Sequence, residues 1–242
     1  MFYTEKHQLR ISDYDRDGNI SYEAILQILE TAGSHHSYSA GDSVIEGSQS
    51  GIAWILTDWR VQIIRRINSQ EELNITTWVR GKAPASRVFR NFFLTDSNGN
   101  EVIRAEAKFA LLDLSTGRLT RISEALLESY QPENKTIFDT ETQRPHAPTE
   151  FDDEQIIILR KSDIDFNGHV HNTRYMDFAL EILPKAFYRN NNIAEIHIVY
   201  MKLLKESSAV TAKCSNAENK YRICIYSNDV LCTLCEFITE AI

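Results

Sequence analysis

The chain has 242 residues, 43% of them hydrophobic and 25% charged, which is enough for one large core or two small ones and too apolar for a disordered chain. A formal net charge of −8 argues against a general nucleic-acid role, because phosphate binding draws on a basic face. Charges break every dense apolar run before it reaches membrane-spanning length, so a soluble cytoplasmic protein is expected, with no membrane and no nucleic-acid partner.

The opening residues, MFYTEKHQLRIS, alternate and carry charge, which reads as a strand rather than a secretory leader. Residues 11–23, ISDYDRDGNISYE, follow. Asp13, Asp15, Asp17, Gly18 and Ile20 imitate the start of a calcium loop. The twelfth loop position, however, should be a bidentate glutamate and is Ala24, with Glu23 one residue early, so no calcium is expected. Ile25, Ile28 and Leu29 then recur at the spacing of one helix face.

Strand patterns come next: GIAWILTDWRVQIIRR, NITTWVRGKA, RVFRNFFLTD, the hairpin turn DSNGNE, and EVIRAEAKFALLDL. In the last of these, Ile103, Ala105, Ala107, Phe109 and Leu111 share one face, and Arg104, Glu106 and Lys108 take the other, as in a half-buried antiparallel strand. Arg60, Arg65, Arg66, Arg80, Lys82, Arg87 and Arg90 crowd into this region. They read as solvated strand faces, with a docking surface for an acidic partner as the sharper alternative.

Residues 131–150 hold Pro132, Pro145 and Pro148 and few apolar side chains, and read as a linker between domains at 1–130 and 151–242. Beyond the linker the opening plan repeats. Residues 161–173, KSDIDFNGHVHNT, restate residues 11–23 at an offset of 150: Ser12 matches Ser162, Asp13 matches Asp163, Asp15 matches Asp165 and Gly18 matches Gly168, while Asp17 faces Asn167 and Asn19 faces His169. A second helical pattern (Tyr175, Phe178, Ala179, Ile182) and four strand patterns complete the copy. Two such units predict an α+β architecture: two long helices, each wrapped by antiparallel strands, with the sheets joined edge to edge. Cys214, Cys224, Cys232 and Cys235 all lie late, and Cys232 and Cys235 point to opposite faces of a strand. Reduced structural thiols are therefore expected, with no metal.

The second copy is chemically richer, placing a carboxylate, an amide and an imidazole at alternate positions (Asp165, Asn167, His169) ahead of a helix expected to begin near His171. A carbonyl oxygen held at such a helix start is polarised, and Gly168 would let the backbone approach it. Asp165 would deprotonate a water or attack directly, Asn167 would hold the water or the carbonyl, and His169 would orient the carboxylate or protonate a departing thiolate. An N-cap alone needs only one such residue. The first copy lacks the histidine, so one active site per chain is expected, in the second half.

The run DIDFNGHVHNTRYMDFALEILP resembles the signature of plant and bacterial acyl-ACP thioesterases, through Asp163, Asp165, Asn167, His169, Val170, Asn172, Tyr175, Leu180, Glu181 and Pro184. The segments ILQILETAGSHH, TWVRG and LTRISE follow that family's order in the first half. The resemblance implies a tandem (double) hotdog fold with no cofactor. It also implies hydrolysis of a fatty acyl thioester on acyl carrier protein, whose partner is the protein bearing fatty acyl-phosphopantetheine, and it is compatible with a homodimer. By position, Asp165, Asn167 and His169 inherit the catalytic roles, and Gly168, Val170 and Asn172 lie against the substrate. Trp54, Trp78 and Phe109, together with Ile25, Leu29, Phe93 and Ala107, are candidates to line an acyl tunnel in the first half. Two departures stand out: His171 replaces an asparagine, and an ungapped count puts Leu203 and Leu204 where the family carries a glutamate and a cysteine. Asp165 becomes the first choice of base and Glu206 the second, and a thiol mechanism is rejected. An acyl-CoA thioesterase of the same fold and a noncatalytic acyl-thioester-binding protein stay open as alternatives.

Overall fold

The computed structural model describes residues 1–43, 51–68, 71–81, 86–141 and 143–241, so Lys82 lies outside the described residues. Two compact units divide the chain, Met1–Glu141 and Thr142–Ile242. Unit 1 runs β1 (Tyr3–His7), α1 (Tyr22–Ser39), β2 (Ile52–Ile63), β3 (Leu73–Val79), β4 (Val88–Thr95), β5 (Glu101–Asp113), β6 (Arg118–Thr120) and α2 (Glu124–Ser129). Unit 2 runs β7 (Asp153–Ile157), α3 (Arg174–Glu181), α4 (Phe187–Asn190), β8 (Asn191–Tyr200), β9 (Val210–Ala217), β10 (Lys220–Ser227) and β11 (Val230–Ala241). Unit 1 orders its strands β1–β3–β4–β5–β2, with β6 added on β5; unit 2 orders its own β7–β9–β10–β11–β8. The repeat read from thirteen residues of sequence thus extends to the strand order of each sheet.

Local chemistry explains the difference between the two main helices. α1 starts where the Ser21 hydroxyl accepts the Ala24 N–H at 3.1 Å, and it buries Ala24, Ile25, Ile28, Leu29 and Ala32 along one stripe. It ends at Gly41, whose φ of +77° suits glycine. In unit 2 the position of Ser21 is taken by His171, and the N-cap is Thr173 with no side-chain bond. α3 accordingly begins at Arg174, three residues beyond His171, and ends at Glu181, shortly before Pro184. It buries Tyr175, Met176, Phe178 and Ala179 on its own sheet.

In unit 1, α1 lies on the face of the sheet that carries Arg90 and Phe92: a Cβ built on Gly33 would meet the Arg90 side chain at 3.3 Å. Alternation and register put Trp59, Val61, Val79, Ala105 and Ala107 on that face and Trp78, Asn91, Phe93 and Glu106 on the other. The second face is covered by the first part of the segment expected to link the domains. There Glu133 N–H bonds the Val79 carbonyl at 2.9 Å, Trp78 Nε1 bonds the Lys135 carbonyl at 2.8 Å, and Ile137 N–H bonds Asn91 Oδ1 at 3.0 Å. The Arg60 guanidinium lies 4.0 Å from the Phe138 ring centre. Residues 132–138 therefore form a strap on unit 1.

Most of the expected basic surface is engaged inside unit 1. Arg90 is 5% exposed and reaches His36 Nδ1 at 2.7 Å and Ser37 Oγ at 3.0 Å. Arg65 pairs with Glu71 and Asp96, Arg66 with Asp15, and Arg80 with Glu106. These residues are neither plain solvated faces nor a continuous docking patch, because carboxylates and a histidine on neighbouring elements neutralise or bury them. No helix among the described residues is long and apolar enough to cross a membrane.

Candidate active site

The acidic turn is built the same way twice. In unit 2, Asp165 Oδ1 accepts the N–H groups of Asn167 at 2.8 Å and His169 at 3.0 Å. Its own N–H bonds the His169 carbonyl at 2.7 Å, and Gly168 N–H bonds the Asp165 carbonyl at 3.0 Å. In unit 1, Asp15 Oδ1 accepts from Asp17 at 3.0 Å and Asn19 at 2.9 Å, with the matching backbone bonds at 2.7 and 3.1 Å. An aspartate that ties its own backbone two and four residues on is a turn-former before it is anything else. Gly18 and Gly168 take φ of +78° and +77°, which only glycine adopts without strain.

Just upstream, Asp163 is fully buried and accepts Arg160 N–H at 2.8 Å and Arg160 Nε at 3.2 Å; Asp13 and Arg10 do the same in unit 1. Arg174 Nε also approaches Asp163 at 3.7 Å. The first aspartate of each motif is therefore an anchor for the chain reversal into the helix.

The two turns differ in what surrounds the second carboxylate oxygen. Asp15 Oδ2 is held by Arg66 Nη2 at 2.5 Å. Asp165 Oδ2 has no hydrogen-bond or ion-pair partner among the described residues. The strand end beside the turn shows why. Ile20 N–H bonds the Ile67 carbonyl at 2.8 Å, and Val170 N–H bonds the Leu204 carbonyl at 2.9 Å, which makes Leu203 the counterpart of Arg66. Leu203 is 46% exposed and offers no charge. The bridge between His169 and Lys205 fixes the same register and puts the His169 ring, half-buried and without a hydrogen-bond partner among the described residues, on the turn with Asp165.

Several expectations need correction. Gly168, expected to let the backbone approach a substrate carbonyl, has its own N–H engaged by the Asp165 carbonyl, and its positive φ is required by the turn itself. At the loosened entry to α3 the N–H groups of Asn172, Thr173 and Tyr175 have no acceptor among the described residues. Glu206 is exposed in the Lys205–Ser208 turn, which is closed by Ser208 N–H to the Lys205 carbonyl at 2.9 Å, and makes no hydrogen bond or ion pair among the described residues. Trp78 lies on the sheet face away from α1, stacked edge-on with Phe93 at 5.9 Å and sealed under the strap, so it lines no space beneath the helix. Trp54 and Phe109 do lie on the α1 face, Trp54 donating to Asp42 at 2.7 Å. Val170 is buried at 1% exposure beneath the turn, while Asn167 and Gly168 are exposed at its tip.

Sequence reasoning passed over two tyrosines as site residues. Tyr175, 1% exposed, accepts the Leu204 N–H on its phenol oxygen at 2.9 Å, and Tyr200 donates to the Asn172 carbonyl at 3.0 Å. Burial, reinforced by the nearby Cys232 and Asp165, pushes the Tyr175 pKa up to about 12. The signal in sequence was a tyrosine where the first copy has Ile25. All four cysteines are free and buried, and burial raises each thiol's pKa, the opposite of what a nucleophile requires. Among the described residues no group of three metal-ligating side chains converges.

Comparisons with known proteins bear on this arrangement. The family model for the acyl-ACP thioesterase N-terminal domain matches residues 1–130, and that for the C-terminal domain matches residues 146–231. The chain is 23% identical over 207 residues to a chloroplastic dodecanoyl-[acyl-carrier-protein] hydrolase of Cinnamomum camphora, covering 80% of this chain and 54% of that protein. It is 23% identical over 225 residues to the chloroplastic oleoyl-acyl carrier protein thioesterase 1 of Arabidopsis thaliana, covering 86% and 62%. The chain thus spans a little over half of these curated relatives' length. The solved structure of a 12:0-ACP thioesterase from Umbellularia californica superposes with a TM-score of 0.90 at 15% identity, over 100% of this chain and 98% of that one, which shows a shared double-hotdog fold.

Proposed function

The chain belongs to the acyl-ACP thioesterase family, and from that premise we propose that it hydrolyses a fatty acyl thioester carried on acyl carrier protein, giving the free fatty acid and the carrier thiol. The observation that carries this reading is the contrast between the two turns: the same scaffold, with a carboxylate oxygen clamped by Arg66 in unit 1 and left open beside His169 in unit 2.

In this reading Asp165 Oδ2 takes a proton from water, and the water oxygen bonds to the acyl carbon. The N–H groups of Asn172 and Thr173 receive the carbonyl oxygen as it becomes negative. Collapse of that species breaks the carbon–sulfur bond, His169 supplies the proton to the departing sulfur, and the proton taken up by Asp165 returns to His169 through solvent. Asn167, at the exposed tip, holds the water or the pantetheine arm. The N-terminal unit takes the acyl chain on the sheet face that meets α1, where Trp54 and Phe109 lie.

The test is a panel of acyl-ACPs from short to long, with released fatty acid measured and the same acyl groups on CoA as comparison. Hydrolysis of carrier-bound substrates, lost in Asp165→Asn and His169→Ala, supports the proposal. Faster turnover on CoA would redirect it to an acyl-CoA thioesterase. Tight binding with no turnover would favour the noncatalytic reading, which Leu203 in place of a carboxylate keeps in contention.

A further inference from the structure

We propose that Tyr175 is a positioning residue that performs in unit 2 the task an ion pair performs in unit 1, and that this exchange is what keeps Asp165 available for reaction. The inference rests on the hydrolase reading above and assigns a role to two residues outside the reacting set, Tyr175 and Leu203.

Each turn must be held against the strand end that follows β2 or β8. One backbone bond does part of this in both units, at 2.8 and 2.9 Å. Unit 1 adds a second tie: Arg66, its guanidinium carbon 4.2 Å from the Tyr22 ring centre, reaches Asp15 Oδ2 at 2.5 Å. Both oxygens of Asp15 are then engaged, one with its own turn and one with a guanidinium.

Unit 2 cannot make that tie, because Leu203 stands in place of Arg66. Its second tie is the phenol of Tyr175, which accepts the N–H of Leu204, the residue whose carbonyl receives Val170 N–H. The same helix position in unit 1 is Ile25, which has no polar atom to offer. Each strand end thus has a tie of different chemistry, Arg66 to Asp15 in unit 1 and Leu204 to Tyr175 in unit 2, where Tyr200 adds a bond to the Asn172 carbonyl at the helix entry. A clamp through the phenol pins the strand without touching the carboxylate. A clamp through a guanidinium would occupy the carboxylate as a paired anion and leave it a poorer acceptor for the proton of a water.

The experiment compares wild type, Leu203→Arg, Tyr175→Phe and the double variant. kcat and KM are measured on an acyl-ACP across pH, with Tm on the same preparations. Leu203→Arg should lower kcat by ~10- to 100-fold with KM and Tm little changed, and should move the acid limb of the kcat profile to lower pH. Leu203→Gln, uncharged, should leave that limb in place. Tyr175→Phe should lower Tm and kcat without moving the limb. The double variant should recover Tm toward wild type yet stay slow, because the new guanidinium restores the tie by occupying Asp165. Full activity in Leu203→Arg, or Tm losses that simply add in the double variant, would overturn the proposal. If wild type hydrolyses no acyl thioester, the hydrolase reading fails by itself, and the Tm comparison still decides whether the two positions are coupled.

Discussion

Replacing Asp165 separates what its carboxylate does for the turn from what it does for the substrate. Oδ1 accepts two backbone N–H groups at 2.8 and 3.0 Å, and the turn is partly exposed, so water replaces some of what a truncation removes. Hydrogen bonds to a charged acceptor are worth about 1.5 kcal/mol each at the low end, so Asp165→Ala should cost about 2–3 kcal/mol. At ~2–4 °C per kcal/mol for a chain of this size, Tm should fall by about 4–12 °C. Asp165→Asn keeps an oxygen in place of Oδ1 and should cost about 1 kcal/mol or less. Both should lose the proton acceptor and with it roughly 10²–10⁴ in kcat. Melting followed by circular dichroism, alongside fatty acid release from acyl-ACP, reads the two effects separately. Asp15→Ala supplies the internal control, with a larger fall in Tm, because it also removes the Arg66 ion pair, and no loss of kcat. An Asp165→Asn protein that turns over like wild type, or an Asp165→Ala protein that melts like it, would refute the reasoning.

Other expectations follow from unit 1. Burial raises the Glu30 pKa from 4.5 to about 7, with Trp59 beside it as the smaller, opposing influence. A carboxyl that holds its proton longer folded than unfolded loses stability as pH rises through that window, and Glu30→Gln should flatten the loss between pH 4.5 and about 7 in urea titrations. His36 shows the reverse: burial, with Arg90 next, lowers its pKa from 6.5 to about 4, so stability should fall as pH drops through that interval, and His36→Gln should remove that acid-side slope. Trp78→Phe deletes the bond to the Lys135 carbonyl, worth about 1 kcal/mol, and trypsin should cleave after Lys135 ~5-fold faster; an unchanged rate would mean the strap is held elsewhere.

The sequence was most readable where local chemistry decides structure. A turn-forming aspartate, a glycine at positive φ and a helix stripe each leave a spaced signature, so the duplicated motif at Asp15 and Asp165 could be aligned by eye. The repeat then implied the two sheets. What could not be read depended on which side of a sheet a residue faces and on register across a gap. Trp78 and Trp54 look alike in an apolar strand, yet alternation puts them on opposite faces. The strap was hidden because its bonds run through the backbone carbonyls and N–H groups of Glu133, Lys135 and Ile137, which composition does not record. The offset between copies drops from 150 at the turn to 137 at the strand end, so counting alone could not match Leu203 to Arg66. The signature itself blended two kinds of residue: those that make the turn, and those the turn merely displays.

The turn of unit 1 closes on Asp15, Gly18 and backbone groups, with Arg66 as its outer tie, so the side chains of Asp17 and Asn19 can be exchanged without opening it. Unit 1 therefore holds the scaffold on which the proposed reactive centre of unit 2 is built, and differs from it at a few addressable sites. Asp17→Asn, Asn19→His, Ser21→His, Ile25→Tyr and Arg66→Leu would carry the unit 2 side chains into the first repeat. Thioester hydrolysis by a chain so altered and also carrying Asp165→Asn would place the proposed chemistry in the first repeat as well.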